Sequence, residues 1–329
     1  MQPFDLAAAT AAALPSCLPP CAAAYAFPAH PGLLLVRNAL SAEQQRLLVV
    51  DALTLFPEPP AHTNHTRALG GLSGLWAAAQ AGLRLRLERP ASAGDADAAG
   101  EANGCSKKQG TVDRKMSGSS DHWAADGAGP PAATLLRKLR WAARGPPFDW
   151  TVREYLRQEA HRPLPASLSA LATELASLAG QLLGAETEGG ITSPSEQQQQ
   201  QQQPAQLAAQ PKFDAALVNF YYEGSTLGGH VDDAEADLTK PLVALSLGCP
   251  AVFLAGGATR DAPPAALLLR SGDAVVMAGP ARRAYHGVPR VFTDAPAPAL
   301  TVSGESDLFA PFAAHMHTCR INISIRETC

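Results

Sequence analysis

The last strand-like heptapeptide of the chain constrains the fold more than any other stretch. Arg320-Ile321-Asn322-Ile323-Ser324-Ile325-Arg326 alternates without a break. With a side-chain period of two, Ile321, Ile323 and Ile325 share one face of a strand, and Arg320, Asn322, Ser324 and Arg326 share the other. Isoleucine occurs only four times in 329 residues, and three of the four stand here. So strict an isoleucine face belongs in a core. The opposite face then carries two guanidinium groups and an amide in a row. Buried cations without partners are costly, so this face demands an anion. Arginine's planar fork suits a carboxylate held by two parallel hydrogen bonds. The competing reading is an edge strand with its arginines in water.

Upstream of that strand, from Phe213 on, the chain falls into short apolar runs: AALVNFYY, PLVALSL, AVFLA, AALLLR and DAVVMAG. Gly, Pro and Asp bound them, and no helical segment separates them, which indicates an antiparallel sandwich or barrel. The first half reads differently. Ser41 can cap AEQQRLLVVDALTLF, with Glu43 and Gln44 in the first turn. The spacing predicts further helices over 72–87, 134–143 and 164–183. Three stretches lack a periodic pattern: the Ala/Pro-rich residues 1–31, the Gly-rich polar residues 91–131, and residues 184–211 around the Gln run at 197–203. They are expected to be disordered or long loops. The expected order is therefore a disordered 1–31, a helical portion 32–183 interrupted at 91–131, a Gln-rich insertion 184–211, and a β core over 212–329.

Twenty-six Lys and Arg against 30 Asp and Glu leave a formal charge of −4, so no global positive field marks a nucleic-acid binder. Such a partner needs a local patch. Residues 134–162 offer one: Arg137, Lys138, Arg140, Arg144, Arg153, Arg157 and Arg162 face only Asp149, Glu154 and Glu159, with Trp141, Phe148, Trp150 and Tyr155 interleaved. Basic side chains can hold phosphates while aromatics stack a flipped base. A solvated helix face with its Trp and Leu on the core is the plainer alternative. No run approaches the roughly 20 apolar residues of a spanning helix, so no membrane partner is expected. Cys17, Cys21, Cys105, Cys249, Cys319 and Cys329 stand at no zinc-like spacing and read as reduced thiols. The first 36 residues hold neither Lys nor Arg, which supports neither a secretory signal nor an Arg-rich transit peptide. Nucleus or cytoplasm is the expectation, with mitochondrion and plastid open.

His230-Val231-Asp232 supplies the chemistry. On a strand, His230 and Asp232 project to one face. An imidazole beside a carboxylate makes two of the three ligands of a 2-His-1-carboxylate site for non-haem Fe(II). His286, just after DAVVMAG, is the leading candidate for the third. Alone, an HxD is as well read as a capped turn or a solvated pair. Asn219 and Tyr221, two residues apart, share a face of their own strand; a core Tyr and a turn Asn would look the same.

Together, HxD, a histidine 56 residues on, and RxNxSxR near the end resemble the AlkB family of Fe(II)/2-oxoglutarate nucleic-acid dioxygenases. LVNFYYEGSTLGGHVDDAEADLTKPLVALSLGCPAVFLAGG is similar to that family's core throughout. LLRKLRWAARGPPFDWTVREY resembles the eukaryotic branch of AlkB homologues acting on tRNA and DNA. The resemblance spans about residues 31–90, 132–183 and 212–329. It implies an α+β protein with a mainly β core, a double-stranded β-helix (jelly roll) braced by N-terminal helices. It implies His230, Asp232 and His286 as iron ligands. Asn219, Tyr221, Arg320, Asn322 and Arg326 would contact 2-oxoglutarate, with Arg320 at the distal carboxylate and Arg326 at the end near the metal. Trp141 would lie in a substrate lid, with Phe148, Trp150 and Arg260 also on the substrate side. The implied reaction consumes O2 and 2-oxoglutarate, hydroxylates a methyl group on a base of tRNA, other RNA or DNA, and releases succinate, CO2 and formaldehyde. A monomer is expected. One position departs: Ala234 stands where bacterial members carry a second carboxylate used on the damaged base, with Asp233 and Glu235 on either side. Two other readings are open. One is the same chemistry on a protein or small molecule; the other is a silent nucleic-acid-binding relative.

Overall fold

A computed structural model describes residues 15, 18–87, 122–149, 151–188, 211–302 and 306–328. In chain order, β1 (Ala23–Ala26) and β2 (Leu33–Arg37) lead into α1 (Ala42–Thr54) and the short helices α2 (Thr66–Leu69) and α3 (Leu75–Gln80). A small ribbon pairs β3 (Arg84–Leu85) with β4 (Trp123–Ala124), and α4 (Ala132–Arg137) follows. Next come β5 (Trp141–Arg144), the paired strands β6 (Phe148–Asp149) and β7 (Glu154–Tyr155), and the long helix α5 (Ala166–Glu188). Strands then dominate: β8 (Ala215–Tyr221), β9 (Leu227–His230), β10 (Leu242–Gly248), β11 (Ala251–Ala255), β12 (Ala265–Leu269), β13 (Ala274–Met277) and β14 (His286–Val291). Helix α6 (Ala310–Met316) precedes the last strand, β15 (Arg320–Arg326).

Two larger sheets result, antiparallel throughout. One has seven strands in the order β1-β2-β13-β10-β15-β8-β5; the other has four, β12-β11-β14-β9. Strand β15 is interior, with Ile323 opposite Leu245 on β10 and Val218 on β8. The edge-strand reading of its arginines is thereby excluded. Ile321, Ile323 and Ile325 are fully buried in one core with Val243, Leu245 and Leu247 of β10 and with Leu168, Leu175 and Leu178 of α5. Each isoleucine side chain contributes about 1.5–3 kcal/mol by leaving water. Residues of the opposite parity, among them Leu242, Val275 and Met277, form a second core with Phe253 and Leu267 of the smaller sheet. The alternation along each central strand thus separates a helix-covered face from an inter-sheet face.

Helix α1 begins as expected: Ser41 Oγ accepts from the Gln44 N–H, and Gln44 Oε1 accepts from the Ser41 N–H. The helices expected over 72–87 and 134–143 are both shorter. Gly74 and Gly82, at φ +66° and +67°, confine the first to α3. The second stops at Arg137 because Trp141–Arg144 is taken as β5 by the open edge of β8, tertiary pairing overriding the helical propensity of Leu, Arg and Ala. Gly145, at φ +83°, ends β5; a Cβ there would lie 2.2 Å from the Asp214 carbonyl oxygen. Within the expected patternless 1–31, Ala23–Ala26 form β1, its register set wholly by β2. Toward the end of the 91–131 stretch, Trp123–Ala124 form β4; residues 91–121 and most of 184–211 lie outside the described residues. No described helix is long and apolar enough to cross a membrane.

Half-buried His315 on α6 is edge-on to Trp76 (centroids 5.4 Å) and to Tyr222 (5.8 Å). Burial, and then the charge of Arg137, push its pKa down from 6.5 to about 4. The folded state therefore holds it neutral while the unfolded chain takes up a proton between pH 6.5 and 4. Its stabilising share is complete above pH 6.5 and is lost as pH falls through about 4, at most about 3 kcal/mol. His315→Gln is expected to flatten the fall in urea midpoint between pH 7 and pH 4.5; an unchanged slope would count against this role.

Candidate metal centre and cavity

Between the two sheets lies a cavity of about 560 Å³. Its floor is the inter-sheet face of β8 and β15, so Asn219, Tyr221, Arg320, Asn322, Ser324 and Arg326 all reach it. Asn322 is opposite Asn219 and Arg320 is opposite Tyr221 in the β15–β8 register. On the other wall, β14 sets His286 directly opposite His230 of β9. Contrary to the strand geometry expected for HxD, β9 ends at His230 and Asp232 stands beyond it in irregular chain. Asp232 still turns to the same place. Its Oδ1 is 3.7 Å from His230 Nε2 and its Oδ2 3.9 Å from His286 Nε2.

The imidazoles are oriented from behind. His230 Nδ1 is 2.9 Å from the Gly228 carbonyl oxygen and His286 Nδ1 is 3.3 Å from that of Ala284. Facing a carbonyl, each Nδ1 carries the proton, which leaves each Nε2 lone pair toward Asp232. Burial opposes the charge on Asp232, but Arg326, His286, His230 and Arg282 outweigh it and hold the carboxyl below the usual carboxylate range. Burial also pushes the His286 pKa down, against the pull of Asp232. Two lone pairs and a carboxylate thus converge, their ligand atoms all within 4.8 Å, and only a cation satisfies all three. Among the described residues no other group of three His, Cys, Asp or Glu side chains does so.

The two arginines of β15 differ sharply. Arg326 is ion-paired: Nη1 donates to Glu235 Oε1 at 2.8 Å and Nη2 lies 3.4 Å from Asp232 Oδ2, with Nε alone left without an acceptor among the described residues. Arg320, 1% exposed, donates from Nη2 to Ser246 Oγ at 3.0 Å and lies over the Tyr221 ring, 5.2 Å from its centroid. Its Nε and Nη1 have no hydrogen-bond partner among the described residues. Burial lowers its pKa, with no carboxylate near enough to offset this. An orphaned, buried guanidinium opening on a cavity fits a carboxylate ligand.

The cavity mouth is formed by Trp141 on β5 and by the β6–β7 hairpin, through Phe148, Arg153 and Tyr155. Phe148 and Tyr155 pack edge to face at 5.0 Å. Arg153, at φ +59°, donates to Asp233 at 2.5 Å and so ties the hairpin to the loop carrying Asp232. Ala234 also lines the cavity. Arg260 does not line the metal cavity; it lies over Tyr285 and donates to the Gly229 carbonyl, in an adjoining groove that shares Leu227 and His286 with that cavity. Trp150 lies outside the described residues. Sequence reasoning missed three neighbours of the site. Tyr155 stood among the stacking aromatics, yet its hydroxyl donates to Glu235 Oε1 at 3.1 Å. Glu235 stood only as a flanking acid, and Arg282, which grips both Glu235 and the Asp232 carbonyl, not at all. The one available hint for Arg282 was its place four residues before His286.

Comparison with known proteins gives a consistent set of matches. The family model described as the 2OG-Fe(II) oxygenase superfamily matches residues 104–326. The DNA N(6)-methyladenine demethylase ALKBH1A of Arabidopsis thaliana is 36% identical over 91% of this chain and 75% of its own length. The tRNA demethylase abh1 of Schizosaccharomyces pombe is 30% identical over 81% of this chain and 70% of its own. A solved structure of OsALKBH1 is 18% identical, covers 90% of this chain and 97% of that one, and superposes with a TM-score of 0.46.

Either His230→Ala or His286→Ala is expected to weaken Co(II) binding on the order of a hundredfold, read from the visible ligand-field bands of the bound ion. Wild-type affinity in both variants would show that these imidazoles are not ligands.

Proposed function

Since the chain belongs to the 2OG-Fe(II) oxygenase superfamily, we propose that it demethylates nucleobases of tRNA or DNA by oxidation, with Fe(II), 2-oxoglutarate and O2. The relatives named for DNA and tRNA demethylation, each matched along most of its length, support the substrate class. What carries the reading in this chain is one juxtaposition. The His230–Asp232–His286 cluster and the orphaned guanidinium of Arg320 open on one cavity, under a mouth of aromatic side chains.

On this reading His230, Asp232 and His286 hold the iron. With 2-oxoglutarate bound beside it, the metal supplies an oxidant able to hydroxylate a methyl C–H bond. The protein's residues do the rest. Arg320 takes the distal carboxylate of the cosubstrate, giving its Nε and Nη1 the acceptors they lack. Asn219, Tyr221 and Asn322 line the channel between that carboxylate and the metal. Arg326 stands at the metal end, its charge steadied by Glu235 and Asp232. Apolar side chains such as Leu217, Val275 and Met277 keep water from the reacting atoms. Trp141 and Phe148 present flat faces at the mouth, where a base turned out of its stack can lie. The exposed Arg137, Lys138 and Arg140 nearby supply phosphate contacts. Two packed antiparallel sheets are the frame of a jelly roll, and α1 and α5, whose buried residues share the larger sheet's outer core, are its brace. A hydroxymethyl group left on a base nitrogen collapses to formaldehyde and the unmodified base, whereas a carbon-bound methyl is oxidised and retained.

Nucleosides from total tRNA and from DNA, measured by mass spectrometry after incubation with enzyme and cosubstrates, are expected to lose a methylated base. Formaldehyde or an oxidised base should appear in step with succinate. If no methylated base is lost and nucleic acid does not stimulate succinate formation, the reading is wrong. Arg320→Met is expected to raise the KM for 2-oxoglutarate about ten- to a hundredfold, from the roughly 1.5–3 kcal/mol of a charged hydrogen bond. Arg320→Lys should recover only part of this, because an ammonium lacks the fork. An unchanged KM in Arg320→Met would place the cosubstrate elsewhere.

A further inference from the structure

Between the end of β9 at His230 and the start of β10 at Leu242 the chain has no regular structure, yet it holds a candidate metal ligand in place. Asp232 also has a rival for its charge. Its Oδ2 faces both His286 Nε2 and, at 3.4 Å, Arg326 Nη2. A guanidinium and a metal cation would compete for one carboxylate oxygen.

Glu235 stands where it can settle that competition. Its side chain is 1% exposed and is shared between two cations. Oε1 accepts from Arg326 Nη1 at 2.8 Å, a closer contact than Arg326 makes to Asp232. Oε2 accepts from Arg282 Nη2, and the same guanidinium donates to the main-chain carbonyls of Asp232 and, at 3.2 Å, Lys240. Tyr155, from the hairpin at the mouth, is the carboxylate's third donor and the second at Oε1. A buried charge with this many donors is not a surface ion pair, whose contribution would be small.

We propose that Glu235 is a positioning residue for the metal site: it engages the charge of Arg326, so that Asp232 is left free for the metal, and through Arg282 it fixes the loop on which Asp232 stands. The inference rests on the ligand assignment above. It separates from a merely structural clamp because it depends on charge. Glu235→Gln keeps the volume and an acceptor but releases Arg326 onto Asp232.

Mn(II) binding without 2-oxoglutarate, followed through the electron paramagnetic resonance signal of the unbound ion, tests this, with melting temperature measured alongside. Glu235→Gln is expected to bind Mn(II) about tenfold more weakly, as outer-sphere changes typically do. Adding Arg326→Met should bring the affinity back toward wild type, whereas a structural clamp would make the double variant worse. Wild-type affinity in Glu235→Gln, or a double variant no tighter than the single, overturns the proposal. Should Glu235→Gln not fold, Tyr155→Phe carries the test. It removes one donor from Oε1, so Arg326 bears more heavily on Glu235 and less on Asp232. Mn(II) binding should then be about two- to threefold tighter, and unchanged or weaker binding overturns the proposal. If wild type binds no Mn(II), the ligand assignment itself falls, and the inference with it.

Discussion

The two guanidinium groups of β15, buried in the interior of a β-sandwich, set the terms for everything around them. An unpaired buried cation is strongly destabilising, and the backbone of a central strand cannot move aside to let water in. The protein meets the two cases differently. At Arg326 it supplies acids of its own, Glu235 and Asp232. At Arg320 it supplies the Ser246 hydroxyl, the Asn322 amide oxygen at 3.5 Å and a ring face, and leaves two N–H groups without acceptors among the described residues. One end of the strand is closed electrostatically and the other is left for a ligand. That difference gives the cavity a direction, from an anion-demanding end at Arg320 to the His230–Asp232–His286 cluster beside Arg326.

The fold makes such an arrangement affordable by dividing faces. On β15 the isoleucines join the helix-covered core, which supplies the burial energy, while the arginines look into the inter-sheet space. The second sheet faces that space with the two histidines, paired across β9 and β14, so their relative position is set by backbone hydrogen bonds rather than by a flexible loop. Only the carboxylate is carried by irregular chain. Its place is set by Arg282, which donates to its carbonyl, while Arg326 makes its closer contact with Glu235.

How much of this could be read beforehand follows from where the information resides. Side-chain parity on a strand is local, so the faces of β15 and of Asn219 and Tyr221 were legible residue by residue. Ser41 and Gln44 were legible for the same reason, since a capping box is complete within four residues. Trp141 was not, because its stretch has helical propensity and becomes a strand only when β8 offers an edge seventy-odd residues later in the chain. β1, with sequence AAYA, holds no pattern of its own and takes its conformation from β2. Asp232 was correctly paired with His230 but for the wrong local reason, since the strand stops between them. Glu235 and Arg282 were invisible because a buried ion pair between residues 47 apart leaves no periodic trace.

The hairpin β6–β7 links the cavity mouth to the loop of Asp232. It carries Phe148 at the mouth, Arg153 bonded to Asp233, and Tyr155 bonded to Glu235, so it touches the Asp232 loop at two points on either side of Ala234. On the proposed function, a nucleic-acid strand at the cavity would bring phosphates able to compete with Asp233 for the exposed Arg153, and a base able to compete with Phe148 for space. Neither can enter without acting on the hairpin, and the hairpin cannot shift far without disturbing the Tyr155–Glu235 contact. The cavity rim and the electrostatics around Asp232 are therefore joined by one short piece of chain. The joint is made of polar contacts at its exposed end and buried ones at its inner end, so solvent screens the first and not the second. The Arg153–Asp233 contact is thus open to exchange with solvent ions, while the Tyr155–Glu235 contact helps to hold the loop of Asp232 in register.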